Sequence, residues 1–570
     1  MYQFPKNPLF SLPWADSVYL RICISSETLP QLLLPYILNR KSSYGSHLIA
    51  APQDLPIPQN TPQKVVIEFS SPNIASEFHG KHLRSTILGK FISIIHEAMG
   101  WQVTKVNYLG DWGKDLALLG VGWERFGSEE AFEREPVPHL LEVFHKVHEL
   151  FLPEQVESKR ARDEAKKKGE DELQVTADIE SKGLFAERNA FFKRMEEGDE
   201  KAVAQAKRIR DVNIDKYAEF YAQLGITFDE YAGESQASHE VMSDIERTLK
   251  EKDICEESGG AWVIDMKKHG GKSGAAILRD RTGSSTYFLR YLAAVVERSR
   301  KQDFDKMIFV AADRSGHYAR LQKVIELLGM AELAKKLQHV SFNDNSHMME
   351  ELGHGYQPHD ILDRVEGAMS GVLEADKAKA QLIGEPVEAS KGLGVIALMI
   401  QEVSTKRASD HAFSIGSMTS FKSGTGLDLQ YHYAKLCSTL KAHPSDTPPS
   451  TEDYGSLSKE EHTSLLLTLG QYPEIVLATF RSLEPSNIMA YLHTVLEQLQ
   501  DCMDEDEDEP EGEGTTNEEK GEEKGTAEIT PALAALYESA RIVLENGMKL
   551  LGVLPVEDSR TYRAGTPIAD

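Results

Sequence analysis

The run from Lys64 to Gly113 constrains the fold more than any other part of the chain. It reads as an apolar, β-branched strand, KVVIEFS, then SPNIASEFHGKHLRST at 71–86, then NYLGDWG at 107–113. A strand that turns sharply into an amphipathic helix reaching to about Met99 is the opening unit of a parallel α/β domain. Backbone N–H groups at such a helix start face whatever anion lies above them, so the same unit can cradle a nucleotide. Two histidines, His79 and His82, stand three residues apart at that start.

Strand and helix patterns go on alternating through STYFLRYLAAVVERS (285–299), DKMIFVAA (305–312), HYARLQKVIELLGM (317–330) and LQHVSF (337–342). Residues 63–410 are therefore expected to form a Rossmann-like domain, a parallel sheet covered by helices on both faces. Within it, about 130–250 is strongly helical and highly charged, and reads as a helical insertion. From 411 to 570 every apolar pattern has helical spacing, which gives an all-α bundle. Its acidic stretch 501–528 reads as a disordered loop. Residues 1–62 form a short leader ending in a Pro-rich linker, APQDLPIPQNTPQ. GGKS at 270–273 has no leading Gly at the spacing of a P-loop and reads as a flexible connector. His354 and His359 read as loop residues, so no metal site is expected.

The net charge of −27 gives no support to a nucleic-acid partner, but much of it is local. Asp501 to Lys524 holds thirteen acidic residues and two lysines, −11 of the total, which leaves −16 for the rest. Four scattered cysteines suit a reducing compartment, and no apolar run is long enough to span a membrane. Cytoplasmic residence and a monomer are expected, with neither membrane nor DNA as partner.

SPNIA, HGKH, LRST and GDWG together resemble the first signature of the class I aminoacyl-tRNA synthetases, and specifically the arginyl-tRNA synthetase family. The likeness runs from about Ala15 to Glu557. It implies a class I catalytic domain followed by an anticodon-binding-type bundle, with the leader as the tail end of an N-terminal add-on domain. It implies ATP, with Mg²⁺ as its counterion, an amino acid and tRNA as ligands. His79, Gly80 and His82 would meet ATP; His79 and His82 would stabilise the phosphates as pyrophosphate leaves. Glu68, Asn73 and His79 would hold the backbone of the amino acid, and Tyr287 with position 291 its side chain. Gly424, Thr425, Gln430, Tyr431 and Tyr433, in SFKSGTGLDLQYHYAKL, fall where the family meets tRNA.

Several features depart from the family pattern, beginning with the leader, 1–62, which is expected to be a truncated form of the add-on domain. Lys81 replaces the glycine between the histidines, and is the candidate to supply phosphate charge. Tyr291 stands where a carboxylate grips the guanidinium, which suits a less basic amino acid. The cationic MSTRKG-type loop is replaced by NDNSHMMEELGHGYQPHDIL (343–362), with no lysine or arginine. AspArgSerGly at 313–316 replaces a Gln-rich turn. Two readings follow: an adenylating ligase diverged from housekeeping charging towards specialised metabolism, or an inactive pseudo-synthetase that binds tRNA or a protein as a regulator.

Overall fold

In the computed structural model, Val65 and Ile67 of the first long strand face one hydrophobic core while Val66, between them, faces another. That alternation is what a strand buried on both sides requires. The structure describes residues 7–46, 62–170, 172–271, 274–312, 316–353, 355–383, 386–444, 448–508 and 529–555.

Two short antiparallel strands, β1 (Trp14–Asp16) and β2 (Tyr19–Arg21), precede the helix Thr28–Arg40. Leu34 and Ile37 of that helix join the core beneath the C-terminal helices. The central sheet is built from β3 (Lys64–Glu68), β4 (Gln102–Leu109) and β5 (Glu230–Gly233). Strands β6 (Glu256–Ser258), β7 (Ala261–Asp265) and β8 (Ala275–Arg279) then form a separate antiparallel sheet. The chain returns to the first sheet with β9 (Lys306–Val310) and β10 (Leu337–Val340). Its order is β10-β9-β3-β4-β5, with every pair parallel. After β3 the chain adds strands on one side, then crosses to the other. This reversal opens a crevice at the carboxyl ends of the strands.

Six described helices, from Lys114–Phe126 to Glu200–Gln223, intervene between β4 and β5. The stretch 130–250, expected to be helical throughout, also contains β5. Its four residues, EYAG, are too few to display a strand period. The β6–β8 sheet was likewise not foreseen, and the GGKS connector falls between β7 and β8, with Lys272 and Ser273 outside the described residues. A two-residue parallel pair, β11 (Asn345–Ser346) with β12 (His411–Ala412), ties the segment after β10 to the helical part.

The C-terminal bundle comprises Gly426–Ala442, Glu460–Ser482, Ser486–Asp508 and Pro531–Leu550. The helix ending at Asp508 takes in the first eight positions of the stretch expected to be a loop, 501–528. Its remainder, 509–528, lies outside the described residues, as do residues 313–315, His354, most of the Pro-rich linker and the chain beyond 555. No described helix is long and apolar enough to cross a membrane.

Candidate active site

Past Glu68 the chain turns through Ser70 and Ser71, both left-handed, with φ of 70° and 48°. Side chains disfavour that conformation, so something must hold it. Ser70 N–H donates to Ser85 Oγ at 2.8 Å, and Thr86 Oγ1 donates to Ser70 Oγ at 2.8 Å. The Ser70 hydroxyl also meets that of Tyr221 at 2.7 Å. Asn73 shapes the next turn. Its Oδ1 accepts from Ala75 N–H at 2.9 Å, and its Nδ2 donates to Asp115 at 3.1 Å.

This turn delivers His79 as the residue before the signature helix, Gly80–Ala98. His82 Nδ1 accepts the His79 N–H at 3.1 Å, so the neutral ring carries its proton on Nε2. Burial, then the charge of Lys81, holds His82 well below the usual imidazole range. The same two causes lower His79. Both rings are thus hydrogen-bonding groups rather than cations at neutral pH. Lys81 is exposed and makes no ion pair among the described residues. Gly80 is covered: a Cβ there would lie 2.8 Å from both Cβ and the carbonyl oxygen of Asn345.

A cleft of about 590 Å³ opens above the helix start. It brings together Asn73, Lys81, His82 and Tyr287 of the expected set, with Trp112, Glu234 and Arg290, which sequence reasoning missed. Glu68 and Tyr291 lie beneath it, not on its surface. The Tyr291 hydroxyl donates to the Glu68 carboxylate, and its ring stacks on Tyr287 at 5.4 Å. Burial pushes Glu68 from 4.5 up to about 7, even though this hydrogen bond and Arg298 oppose the rise.

Glu234 is 6% exposed, and no hydrogen-bond donor among the described residues reaches its carboxylate. Burial, then Asp111, pushes its pKa well above the ordinary range. Two of the lining cations are engaged. Arg290 pairs with Glu196 at 2.6 Å and lies 4.9 Å over Trp112, and Lys114 pairs with Asp280 at 2.8 Å. Among the described lining residues, that leaves Lys81 as the cation without an ion pair. No sequence signal marks Glu234; Arg290 stands inside the run YFLRY (287–291), between the two tyrosines singled out there, and only the fold brings it against Glu234, whose carbonyl it meets at 2.9 Å.

The segment after β10 is anchored. Arg84 of the signature helix donates to the Asn343 carbonyl at 3.0 Å, and Asn345 Nδ2 donates to the buried Glu402 at 2.6 Å. Farther on, the Tyr356 hydroxyl donates to the Phe78 carbonyl at 2.7 Å.

Of the residues expected at tRNA, Gly424 is left-handed, and Thr425 caps Gly426–Ala442 by accepting from Asp428 N–H at 3.2 Å. Tyr431 is half-buried beside Phe421. Gln430 and Tyr433 do not reach a surface. Gln430 is fully buried, and the buried Tyr433 hydroxyl meets Arg541 at 3.3 Å. Three residues apart, they share the inward face of the helix, which sequence alone did not separate from the outward one.

A strand-order reversal beside β3, with a His-x-x-His helix start under the resulting crevice, makes this a Rossmann-like domain with a cleft where such folds bind nucleotides. Comparison with known proteins narrows the class. Residues 47–415 match the family of class I (R) tRNA synthetase catalytic domains, and 429–558 match the DALR anticodon binding domain. The chain is 35% identical to the cytoplasmic arginine–tRNA ligase of Saccharomyces cerevisiae over 97% of its own length and 84% of the relative's. It is 31% identical to the mitochondrial arginine–tRNA ligase of the same yeast, over 95% and 78%. The arginyl-tRNA synthetase of Plasmodium falciparum shares the fold with a TM-score of 0.70 at 18% identity, over 96% of this chain and 86% of that one. The chain belongs to the arginyl-tRNA synthetase family.

Proposed function

We propose that this protein is an ATP-dependent ligase that activates a cationic amino acid, arginine by inheritance, in a site altered from that of a housekeeping enzyme. Glu234 is the observation that carries the reading. A carboxyl so deeply buried, bordering an open cleft with no donor on it and offset only in part by an Arg290 already paired with Glu196, suits a cation from the ligand. The departure at Tyr291 alone suits a less basic substrate, but Glu234 supplies the counter-charge that position 291 lacks.

In this reading ATP lies over the helix start, bringing its Mg²⁺ with it, and Asn73 helps to orient the amino acid. An oxygen of the amino-acid carboxylate attacks the α-phosphorus, the bond to pyrophosphate breaks, and an aminoacyl-adenylate forms. The hydroxyl or amine of an acceptor, tRNA by inheritance, then attacks the carbonyl and AMP leaves. His82 Nε2–H supplies a fixed donor where phosphate charge develops, and Lys81 the charge that 343–362 does not. His79 orients the helix start. The surface around Gly424, Thr425 and Tyr431 takes the RNA, and the protein works as a cytoplasmic monomer.

A pseudo-synthetase is the second reading, favoured by Asn345 pressed on Gly80 and by the anchored, cation-free segment. Calorimetric titration with each amino acid beside a non-hydrolysable ATP analogue separates the two. Binding of arginine or lysine supports the ligase; no binding of nucleotide or amino acid supports the regulator.

A further inference from the structure

Lys90 and Gln430 belong to distant parts of the chain yet reach the same three-residue stretch. Lys90, on the signature helix, is buried, and its Nζ donates to the carbonyls of Gly552 and Leu224, each at 2.7 Å. Gln430, on Gly426–Ala442, donates from Nε2 to the Leu554 carbonyl at 2.9 Å. Between these bonds the chain turns tightly over the lysine. Gly552 is left-handed, and a Cβ on it would come within 3.0 Å of Lys90 Cε. An amine whose hydrogen bonds go only to two carbonyls and, at 3.8 Å, to the Met399 sulfur is expensive to bury, and every bond it makes is correspondingly hard to give up. Lys90 lies about 12 Å along the helix axis from His82, within one unbroken helix.

We propose that Lys90 and Gln430 are positioning residues that couple the helical bundle to the signature helix through Gly552–Leu554, so that RNA held on the bundle resets the start of the helix bearing His79 and His82. The RNA half of this statement rests on the function proposed above; the mechanical half does not. It also gives Gln430 a role that its burial allows, as a link behind the RNA-facing surface rather than a contact on it. The connection is one contiguous chain of packed and hydrogen-bonded groups, which makes its coupling open to a double-mutant test.

Hydrogen–deuterium exchange of the full chain provides that test, with Gln430→Leu, Lys90→Gln and the double variant each confirmed as folded by circular dichroism. Gln430→Leu should speed exchange about tenfold at 548–555 and also at 80–92, the factor expected for one lost hydrogen bond. With Lys90→Gln already in place, Gln430→Leu should add nothing at 80–92. Faster exchange confined to the bundle and its tail, or independent effects that simply add at 80–92, would overturn the coupling. Lys90→Met, which keeps the buried stem, replaces Lys90→Gln if the latter does not fold. Total tRNA should slow exchange at 80–92 in the wild type but not in Gln430→Leu. If tRNA has no effect on the wild type, the RNA half of the proposal and the RNA reading of the bundle fail together, while the variants still decide the coupling.

Discussion

Replacing Glu68 by glutamine should raise the stability of the protein at neutral pH, and by an amount that changes with pH in a defined direction. Glu68 is 4% exposed, and burial lifts its carboxyl from 4.5 to about 7. An acid whose pKa is higher folded than unfolded binds more protons in the folded state between those two values. Stability therefore falls as pH rises through that window, and the full cost is present above about 7. A rise of about 2.5 pH units at about 1.4 kcal/mol each comes to about 3 kcal/mol. The amide introduced by Glu68→Gln would still accept from the Tyr291 hydroxyl, so the hydrogen bond survives while the charge is removed. Differential scanning calorimetry of wild type and Glu68→Gln at pH 5, 6, 7 and 8 measures the effect. The variant's advantage should be small at pH 5 and grow to a Tm rise of roughly 5 °C at pH 8. A constant difference across the series would refute the burial argument. So would a variant less stable at pH 8, which would mean that the charged form is well paired in the fold.

Three other substitutions probe the cleft. Gly80→Ala should cost about 1–3 kcal/mol and weaken nucleotide binding, because its methyl meets the Asn345 backbone; a wild-type Tm would contradict the packing described. Lys81→Met should leave Tm unchanged but lower the rate of ATP–pyrophosphate exchange about 10²-fold, if Lys81 is the cation that meets the leaving group. An unaltered rate would return that role to another residue. Glu234→Gln should weaken arginine binding about 10–100-fold. Because burial raises the Glu234 carboxyl and a bound guanidinium would lower it again, arginine should release more protons from the wild type than from the variant. Titration in buffers of different ionisation enthalpy detects them, and equal release by both proteins would exclude Glu234.

The parallel domain was legible in the sequence because its strands are continuous apolar runs and its helices carry clear turn signals. Short elements were not. β5 has four residues, and β6 to β8 lie in a stretch with mixed patterning. Of the residues proposed for the site, Asn73, Lys81, His82 and Tyr287 are surrounded by local motifs, and the fold gathers them in one cleft. Glu234, just after β5, has no such motif, and Arg290, although inside the YFLRY run that holds Tyr287, gains its place only when the fold brings the helix Tyr287–Lys301 against the end of β5. Tyr291 shows the opposite limit. Its position was readable, but its bond to Glu68, which takes both groups off the cleft surface, is a tertiary fact. Gln430 and Tyr433 turn inward, which the sequence did not show because helical periodicity defines a face without saying which way it turns.

Amino-acid-dependent ATP–pyrophosphate exchange, run across all twenty amino acids with and without total tRNA, tests the central claim most directly. Exchange with arginine or lysine, lost in Glu234→Gln, is the expected result. Exchange with an uncharged amino acid alone would contradict the role given to Glu234. Silence across the whole panel, with ATP binding also absent, would contradict catalysis and leave a binding protein on a synthetase fold.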